Sequence, residues 1–267
     1  MKTLTLIIPV YNEGERITNT LQTLEKGFSF RGLKLTKLIF FNDGSTDSTL
    51  SLLYSFRKKL EKILRIPIQI VSSPDNRGRG FAVIHSAFLA DTEYVLYTDA
   101  DFSIPLSNLY TCLPSVRNNV DLIFGSKKMP GAKECIPRTL LRKIVGYGHS
   151  LVASVVFGMF IWDFQGGFKL FSRKFIQELF PLLKIDRWGF DMEVIFLAKK
   201  YKFSHQEIPV TWSHVENGSK VKLLRDSLRS LQEMARITYG WHTGMYALDS
   251  SHKNRASTLV SLLKLYE

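Results

Sequence analysis

Four short apolar runs in the first hundred residues each stop at a polar turn, and all but the last give way to a stretch with apolar residues at helical spacing. Leu4 to Val10, Lys37 to Phe41, Ile68 to Val71 and Tyr94 to Tyr97 read as strands. Glu13 to Lys26, Thr46 to Leu64 and Phe81 to Ala90 read as helices, with capping side chains available from Asp43 to Asp47. Such alternation predicts repeated strand-helix units, and therefore an α/β fold with a mostly parallel, doubly wound (Rossmann-like) sheet flanked by helices. Sheets of this kind bind ligands beyond the carboxyl ends of their strands. The informative segments are thus the four turns: Tyr11-Asn12-Glu13, Asn42-Asp43-Gly44-Ser45, Asp75-Asn76-Arg77-Gly78-Arg79-Gly80 and Asp99-Ala100-Asp101.

The last of these turns carries the clearest chemistry. Two carboxylates one residue apart at a sheet edge can meet one divalent cation, because hard cations take oxygen ligands and accept substrate phosphates as the remainder. Asp99 and Asp101 are the expected ligands of Mg²⁺ or Mn²⁺, which would offset charge on a departing diphosphate. Arg79, at a helix start between two glycines, suits a phosphate. Asp43 fits either a ligand or a helix cap, and Tyr11 either a ligand or strand-end packing. The glycine spacing matches neither the dinucleotide fingerprint nor the P-loop, so hydride transfer and ATP hydrolysis lose support.

The second half offers a strand at Leu122 to Gly125, a Lys- and Pro-rich loop at Ser126 to Pro137, and a segment from Arg138 to Trp162, basic at its start, whose apolar part from Ile144 to Trp162 approaches the length of a membrane span. Gly146, Gly148, Gly158 and His149 dilute it, so the expectation is a helix lying in a membrane interface, with a buried core helix as the alternative. Arg138 and Arg142 at its start could grip a lipid phosphate. A strand around Phe168 to Phe171, a helix around Asp191 to Lys200, a strand around Glu207 to Trp212 and a basic amphipathic helix from Leu223 to Ile237 follow. One catalytic domain over 1–240, with 241–267 as a tail, is the simplest division of 267 residues.

With 36 Lys and Arg against 24 Asp and Glu, the chain has a formal charge of +12 and attracts polyanions in general. Its basic residues are scattered, so no nucleic-acid partner is expected. Cys112 and Cys135 read as free thiols, since two cysteines in a chain this long fit a reducing compartment. No signal peptide is read at the N-terminus.

Taken in order, Ile8-Pro9-Val10-Tyr11-Asn12-Glu13, Asn42-Asp43-Gly44-Ser45-Thr46-Asp47, Asn76-Arg77-Gly78-Arg79-Gly80 and Thr98-Asp99-Ala100-Asp101 resemble the motifs of the GT-A family 2 glycosyltransferases. Asp163-Phe164-Gln165-Gly166-Gly167-Phe168-Lys169-Leu170-Phe171, Arg187-Trp188-Gly189-Phe190-Asp191-Met192-Glu193 and Gly218-Ser219-Lys220 resemble the subgroup that glycosylates polyprenyl phosphates. The resemblance spans about residues 4 to 237.

It implies a GT-A fold with C-terminal amphipathic interface helices, and inverting transfer of a hexose from a nucleotide-sugar donor, UDP-glucose, to a dolichyl-type phosphate at the cytoplasmic face of a membrane. Transfer from GDP-mannose, or to a saccharide hydroxyl, is the alternative. Pro9, Tyr11, Glu13 and Asp43 would hold the base and ribose, Arg79, Asp99, Ala100, Lys127 and Lys220 the phosphates, and Arg138, Arg142 and Lys169 the acceptor phosphate. Asp191 would face the acceptor and serve as base if that acceptor were a hydroxyl. Asn42 departs from the family pattern by replacing an acid, and Ser103 and His214 stand where mannose synthases carry Gln and Arg. The N-terminal anchor of the glucosyltransferases is also not read here.

Overall fold

In the computed structural model, which describes residues 1–28, 32–136, 139–213 and 223–247, a seven-stranded sheet runs in the order β3-β2-β1-β4-β7-β5-β8. The strands are β1 (Lys2–Val10), β2 (Leu33–Asp43), β3 (Ile68–Ser73), β4 (Tyr94–Thr98), β5 (Leu122–Ser126), β7 (Phe168–Ser172) and β8 (His205–Pro209). Neighbours pair in parallel except β7, which is antiparallel to both β4 and β5. A small parallel pair, β6 (Lys133–Glu134) with β9 (Thr211–Trp212), lies apart from it.

Successive side chains in a strand point to opposite faces, and here both faces are covered. Ile7, Ile39, Phe41 and Val71 face one core, shared with α3 (Arg79–Phe88), α6 (Arg173–Leu179) and α7 (Phe190–Lys200). Leu6, Ile8, Leu38 and Phe40 face the other, shared with α1 (Ile17–Glu25), α2 (Thr49–Leu64) and α4 (Leu109–Arg117). This explains why the first strands read as continuous apolar runs rather than alternating ones. The expected strands and helices are present with helix starts shifted, except that the strand expected around Glu207 to Trp212 is split between β8 in the main sheet and β9 in the small pair. Asn12 adopts φ 49° and Glu13 accepts from the Arg16 and Ile17 amides, so the first helix begins at Ile17 rather than Glu13. Two helices, α4 and α6, escape the apolar pattern, the first of them with Pro114 inside it.

The apolar segment forms α5 (Leu140–Phe157), which ends where Gly158 turns left-handed at φ 63°. It is not a buried core helix. Leu140, Ile144, Tyr147, Leu151 and Val155 form an exposed stripe along it, while Ala153 and Phe157 enter the core. Among the described residues no helix is long and apolar enough to cross a membrane. The last helix, α8 (Leu223–His242), packs beside α5. The core continues past Gly240, because Tyr246 is fully buried in it. Cys112 is buried and Cys135 exposed, and both are free.

Candidate active site

The four turns do meet at the carboxyl edge of the sheet. Asp43, the last residue of β2, is buried and accepts from the Arg77 and Gly78 amides at 2.8 Å each and from Asn76 Nδ2 at 2.9 Å. Burial pushes its carboxyl up, against the pull of those two amides. Asp43 therefore ties the second turn to the third, and the side chain that accepts from the Thr49 amide at the start of α2 is Asp47 instead. Gly44 (φ 71°) and Gly78 (φ 117°) permit the close approach, since a Cβ on either would lie 2.5 Å from a backbone atom of the facing segment.

Arg79 opens α3 and reaches across the site. Its guanidinium donates to Asp99 Oδ1 at 3.3 Å, pairs with Asp191 Oδ2, and lies 4.5 Å from the centre of the Trp188 ring. Burial alone would lower its pKa, but Asp191 and then Tyr97 and Asp99 outweigh that and raise it. Its buried Nε has no hydrogen-bond partner among the described residues. Tyr97, on β4, donates its hydroxyl to Asp99 Oδ1 at 3.1 Å, and burial pushes the phenol's pKa up.

Asp99 and Asp101 each keep one oxygen free of these bonds. Asp99 Oδ1 takes the Tyr97 and Arg79 donors, and Asp101 Oδ1 takes the Ser103 amide at 2.9 Å. Among the described residues no hydrogen bond reaches Oδ2 of either. Asp99 Oδ2 sits over Gly167, where a Cβ would come within 1.9 Å, so only glycine leaves room for the carboxylate. Among the described residues no group of three or more His, Cys, Asp or Glu is placed to hold a metal ion without other ligands. Two carboxylates with free oxygens fit a divalent cation whose remaining ligands are phosphate and water, and do not fit a closed all-protein site.

Asp191, in the first turn of α7, is fully buried between two cations. Lys169 Nζ, on β7, donates to its Oδ1 at 2.5 Å and to the Gly166 carbonyl at 2.6 Å, and Arg79 takes Oδ2. Lys169, expected at the acceptor phosphate, is 0% exposed and stands as the counter-ion of Asp191. Burial pulls its ammonium below the ordinary value, and Asp191 works against that.

The remaining expected residues are spread more widely. Pro9 lies near the end of β1 and Tyr11, partly exposed, just follows it, and the Glu13 carboxylate binds Arg16 at 2.5 and 2.7 Å. Ala100 is buried in the turn, its carbonyl accepting from Thr20. Lys127 donates its amide to Asp163 and lays Nζ 5.0 Å from the Trp212 ring centre. Arg142 lies in the first turn of α5. Arg138, His214, Lys220 and the Gly218-Ser219-Lys220 motif lie outside the described residues.

Sequence reasoning missed Tyr97, Trp188 and the buried pair of Asp163 with Lys128 (3.1 Å), which props the 163–167 loop beneath Asp99. Burial pushes the Asp163 carboxyl up, but Lys128 and Lys127 together outweigh it and hold the pKa low. Trp188 stood inside a quoted motif, and its place beside Gly189 just before an acidic helix start was the available signal.

A doubly wound sheet with an Asp-x-Asp turn at its carboxyl edge is an architecture glycosyltransferases use, and residues 5–180 match the model for glycosyl transferase family 2, so the chain belongs to that family. Within it the chain is similar to dolichyl-phosphate beta-glucosyltransferases. It is 31% identical over 261 residues to that of Saccharomyces cerevisiae (91% of this chain, 76% of the relative) and 29% identical over 256 residues to that of Dictyostelium discoideum (92% and 77%). It is 26% identical over 262 residues to the human protein (94% and 80%). The fold is that of GT-A enzymes. The crystal structure of glucosyl-3-phosphoglycerate synthase from Mycobacterium tuberculosis with UDP superposes with a TM-score of 0.62 at 15% identity, covering 89% of this chain and 80% of that one. The same enzyme with Mn²⁺, UDP-glucose and phosphoglyceric acid gives 0.61 at 14% identity, with the same coverage.

Proposed function

We propose that this chain transfers glucose, with inversion, from UDP-glucose to a dolichyl-type polyprenyl phosphate at the cytoplasmic surface of a membrane. The observation that carries this reading is the state of Asp191. A general base must reach the proton it abstracts. Both oxygens of Asp191 are engaged by fixed cations and the side chain is fully buried, so it does not meet an acceptor hydroxyl in that role. A phosphate acceptor needs no such help, because its oxygen is already anionic near pH 7. Asp191 then serves to hold Arg79 toward the phosphates.

Asp99 and Asp101 would hold Mg²⁺ or Mn²⁺, which supplies positive charge to the leaving diphosphate. Arg79 adds a fixed cation on the same side, and Tyr97 orients Asp99. The relatives' names support the donor and acceptor, and the exposed stripe of α5 supports a lipid rather than a soluble acceptor.

The test is a donor and acceptor screen with radiolabelled UDP-glucose and GDP-mannose against dolichyl phosphate and soluble saccharides. UDP-glucose with dolichyl phosphate is expected to give product, and UDP with Mn²⁺ is expected to raise Tm more than GDP does, since a ligand of the native state stabilises by mass action. Product only from a saccharide hydroxyl, or a preference for GDP, overturns the assignment.

A further inference from the structure

Glu193 lies on α7 two residues after Asp191, yet it faces away from the reacting atoms and is itself 0% exposed. Its Oε1 accepts the Lys184 amide at 2.9 Å and its Oε2 the Ile185 amide at 3.1 Å. Two consecutive amides at the root of the 184–189 loop are thus fixed by one carboxylate. The same Oε1 accepts the Tyr246 hydroxyl at 2.8 Å. Tyr246 belongs to the turn after α8 and is fully buried, and its own carbonyl accepts from the Tyr201 hydroxyl. The chain returns to it tightly: Met245 donates its amide to the Gly240 carbonyl at 2.9 Å, and a Cβ on Gly240 would stand 3.0 Å from the Tyr246 ring.

The loop so anchored is the one that organises the site. Trp188 covers Arg79, Arg187 donates to Asn76 at 3.1 Å, and the Asp186 carbonyl accepts from the Phe81 amide at 2.9 Å. α8 presses on the loop's other end, where a Cβ on Gly189 would meet Glu233 Cβ at 2.9 Å. The helix that does this also carries exposed Leu228, Leu231 and Tyr239.

We propose that Glu193 is a positioning residue for the transfer reaction: with Tyr246 as its partner it fastens the 184–189 loop, and through it the stacked Trp188 and Arg79, to the C-terminal end of α8. The segment after α8 is then part of the active-site support rather than a dispensable tail. A buried carboxylate that accepts two backbone amides and a hydroxyl has no slack, so losing the hydroxyl leaves the ring packed but loosens the loop.

The test uses the full chain with Tyr246→Phe, which keeps the ring, and Glu193→Gln as a second variant. Hydrogen exchange of the 184–189 amides should quicken about tenfold or more while exchange in β1 and β4 stays unchanged. In the glucosyl-transfer assay, whose choice rests on the function proposed above, kcat should fall about tenfold or more for both variants with the KM for donor changed far less. Unchanged exchange in 184–189, or an activity loss that merely follows a fall in Tm and in exchange protection everywhere, overturns the proposal. Because exchange is read without any substrate, a wrong acceptor would silence the assay and leave the exchange result standing.

Discussion

Lys169 Nζ and Asp191 Oδ1 lie 2.5 Å apart with both side chains 0% exposed, so the centre of this site is a buried ion pair with Arg79 as its third member. Removing Lys169 would leave the buried Asp191 carboxylate with Arg79 alone and the Gly166 carbonyl without its donor, and breaking one buried ion pair costs about 3–5 kcal/mol. Lys169→Met should therefore lower stability by about that amount, measured by urea denaturation. Adding Asp191→Leu in the same chain should recover part of the stability, because the carboxylate goes with its ammonium while Arg79 keeps Asp99 at 3.3 Å, yet leave activity lost. Strict additivity of the two losses would show that the residues do not act as a pair.

Asp99→Asn and Asp101→Asn test the carboxylates that keep a free oxygen. Each should lower kcat by a factor on the order of 10² or more with little change in fold, since the diphosphate loses its counter-charge. Each should also abolish the extra thermal protection that Mn²⁺ adds to UDP, and chelation should reproduce that in the unaltered chain. Full activity in chelator would remove the metal from the assignment.

Gly167 makes a sharper case, because its substitution adds atoms instead of removing charge. A Cβ there would stand 1.9 Å from Asp99 Oδ2. Gly167→Ala should thus push the Asp99 carboxylate out of place and cost about 10²-fold in kcat, as small displacements of reacting groups do. Isothermal titration with UDP and Mn²⁺ should show the same loss. Near-normal binding by a folded alanine variant would mean that Asp99 has another place to go.

Burial raises the Glu193 carboxyl to about 7, against its bonds from Tyr246, Lys184 and Ile185 and the nearby Arg236. A carboxyl whose pKa is raised on folding binds its proton more tightly in the native state, so its contribution is present at low pH and lost as pH rises through the folded value. Between about pH 4.5 and 7 this loss amounts to roughly 3 kcal/mol. Tm followed from pH 4.5 to 8 should fall more steeply for the unaltered chain than for Glu193→Gln. Parallel curves would place the carboxyl's titration outside this window.

What could be read from the sequence follows from the range of the interactions involved. The strands were legible because a sheet covered on both faces needs continuous apolar runs, and Leu6 to Ile8 or Leu38 to Phe41 can satisfy it in no other way. The Asp99-Ala100-Asp101 turn could be placed at the carboxyl edge of the sheet because it directly follows an apolar run, Tyr94 to Tyr97, that reads as a strand. Lys169 could not be placed, since its partner is 22 residues away and nothing local distinguishes a lysine that reaches a phosphate from one buried behind a carboxylate. Asp43 joins a turn 34 residues on, so its carboxylate also looked like a local cap. The importance of Tyr246 is longer-range still: its partner Glu193 lies 53 residues earlier.

The exposed stripe of α5 bears on where the protein works. Ile144, Leu151 and Val155 repeat at helical spacing on one surface of the helix and stay in solvent, while the opposite surface enters the core through Ala153 and Phe157. Apolar surface of this extent on a helix that is not long and apolar enough to span fits one lying in the headgroup region, and the formal charge of +12 adds attraction to anionic lipid. The two contributions separate by salt. Electrostatic attraction is screened within about 8 Å at physiological ionic strength, so high salt should weaken sedimentation with anionic liposomes. Apolar burial is not screened, so binding should persist in part. Ile144→Asp with Leu151→Asp should remove that residue of binding while leaving UDP affinity unchanged, because neither side chain touches the donor turns. Transfer to dolichyl phosphate in liposomes should then fall about tenfold or more through a raised KM for lipid, each exposed aliphatic side chain that enters the interface being worth about 1.5–3 kcal/mol when fully buried. Equal binding by the double variant would place the membrane contact elsewhere, and loss of UDP binding along with it would mean that the stripe supports the fold.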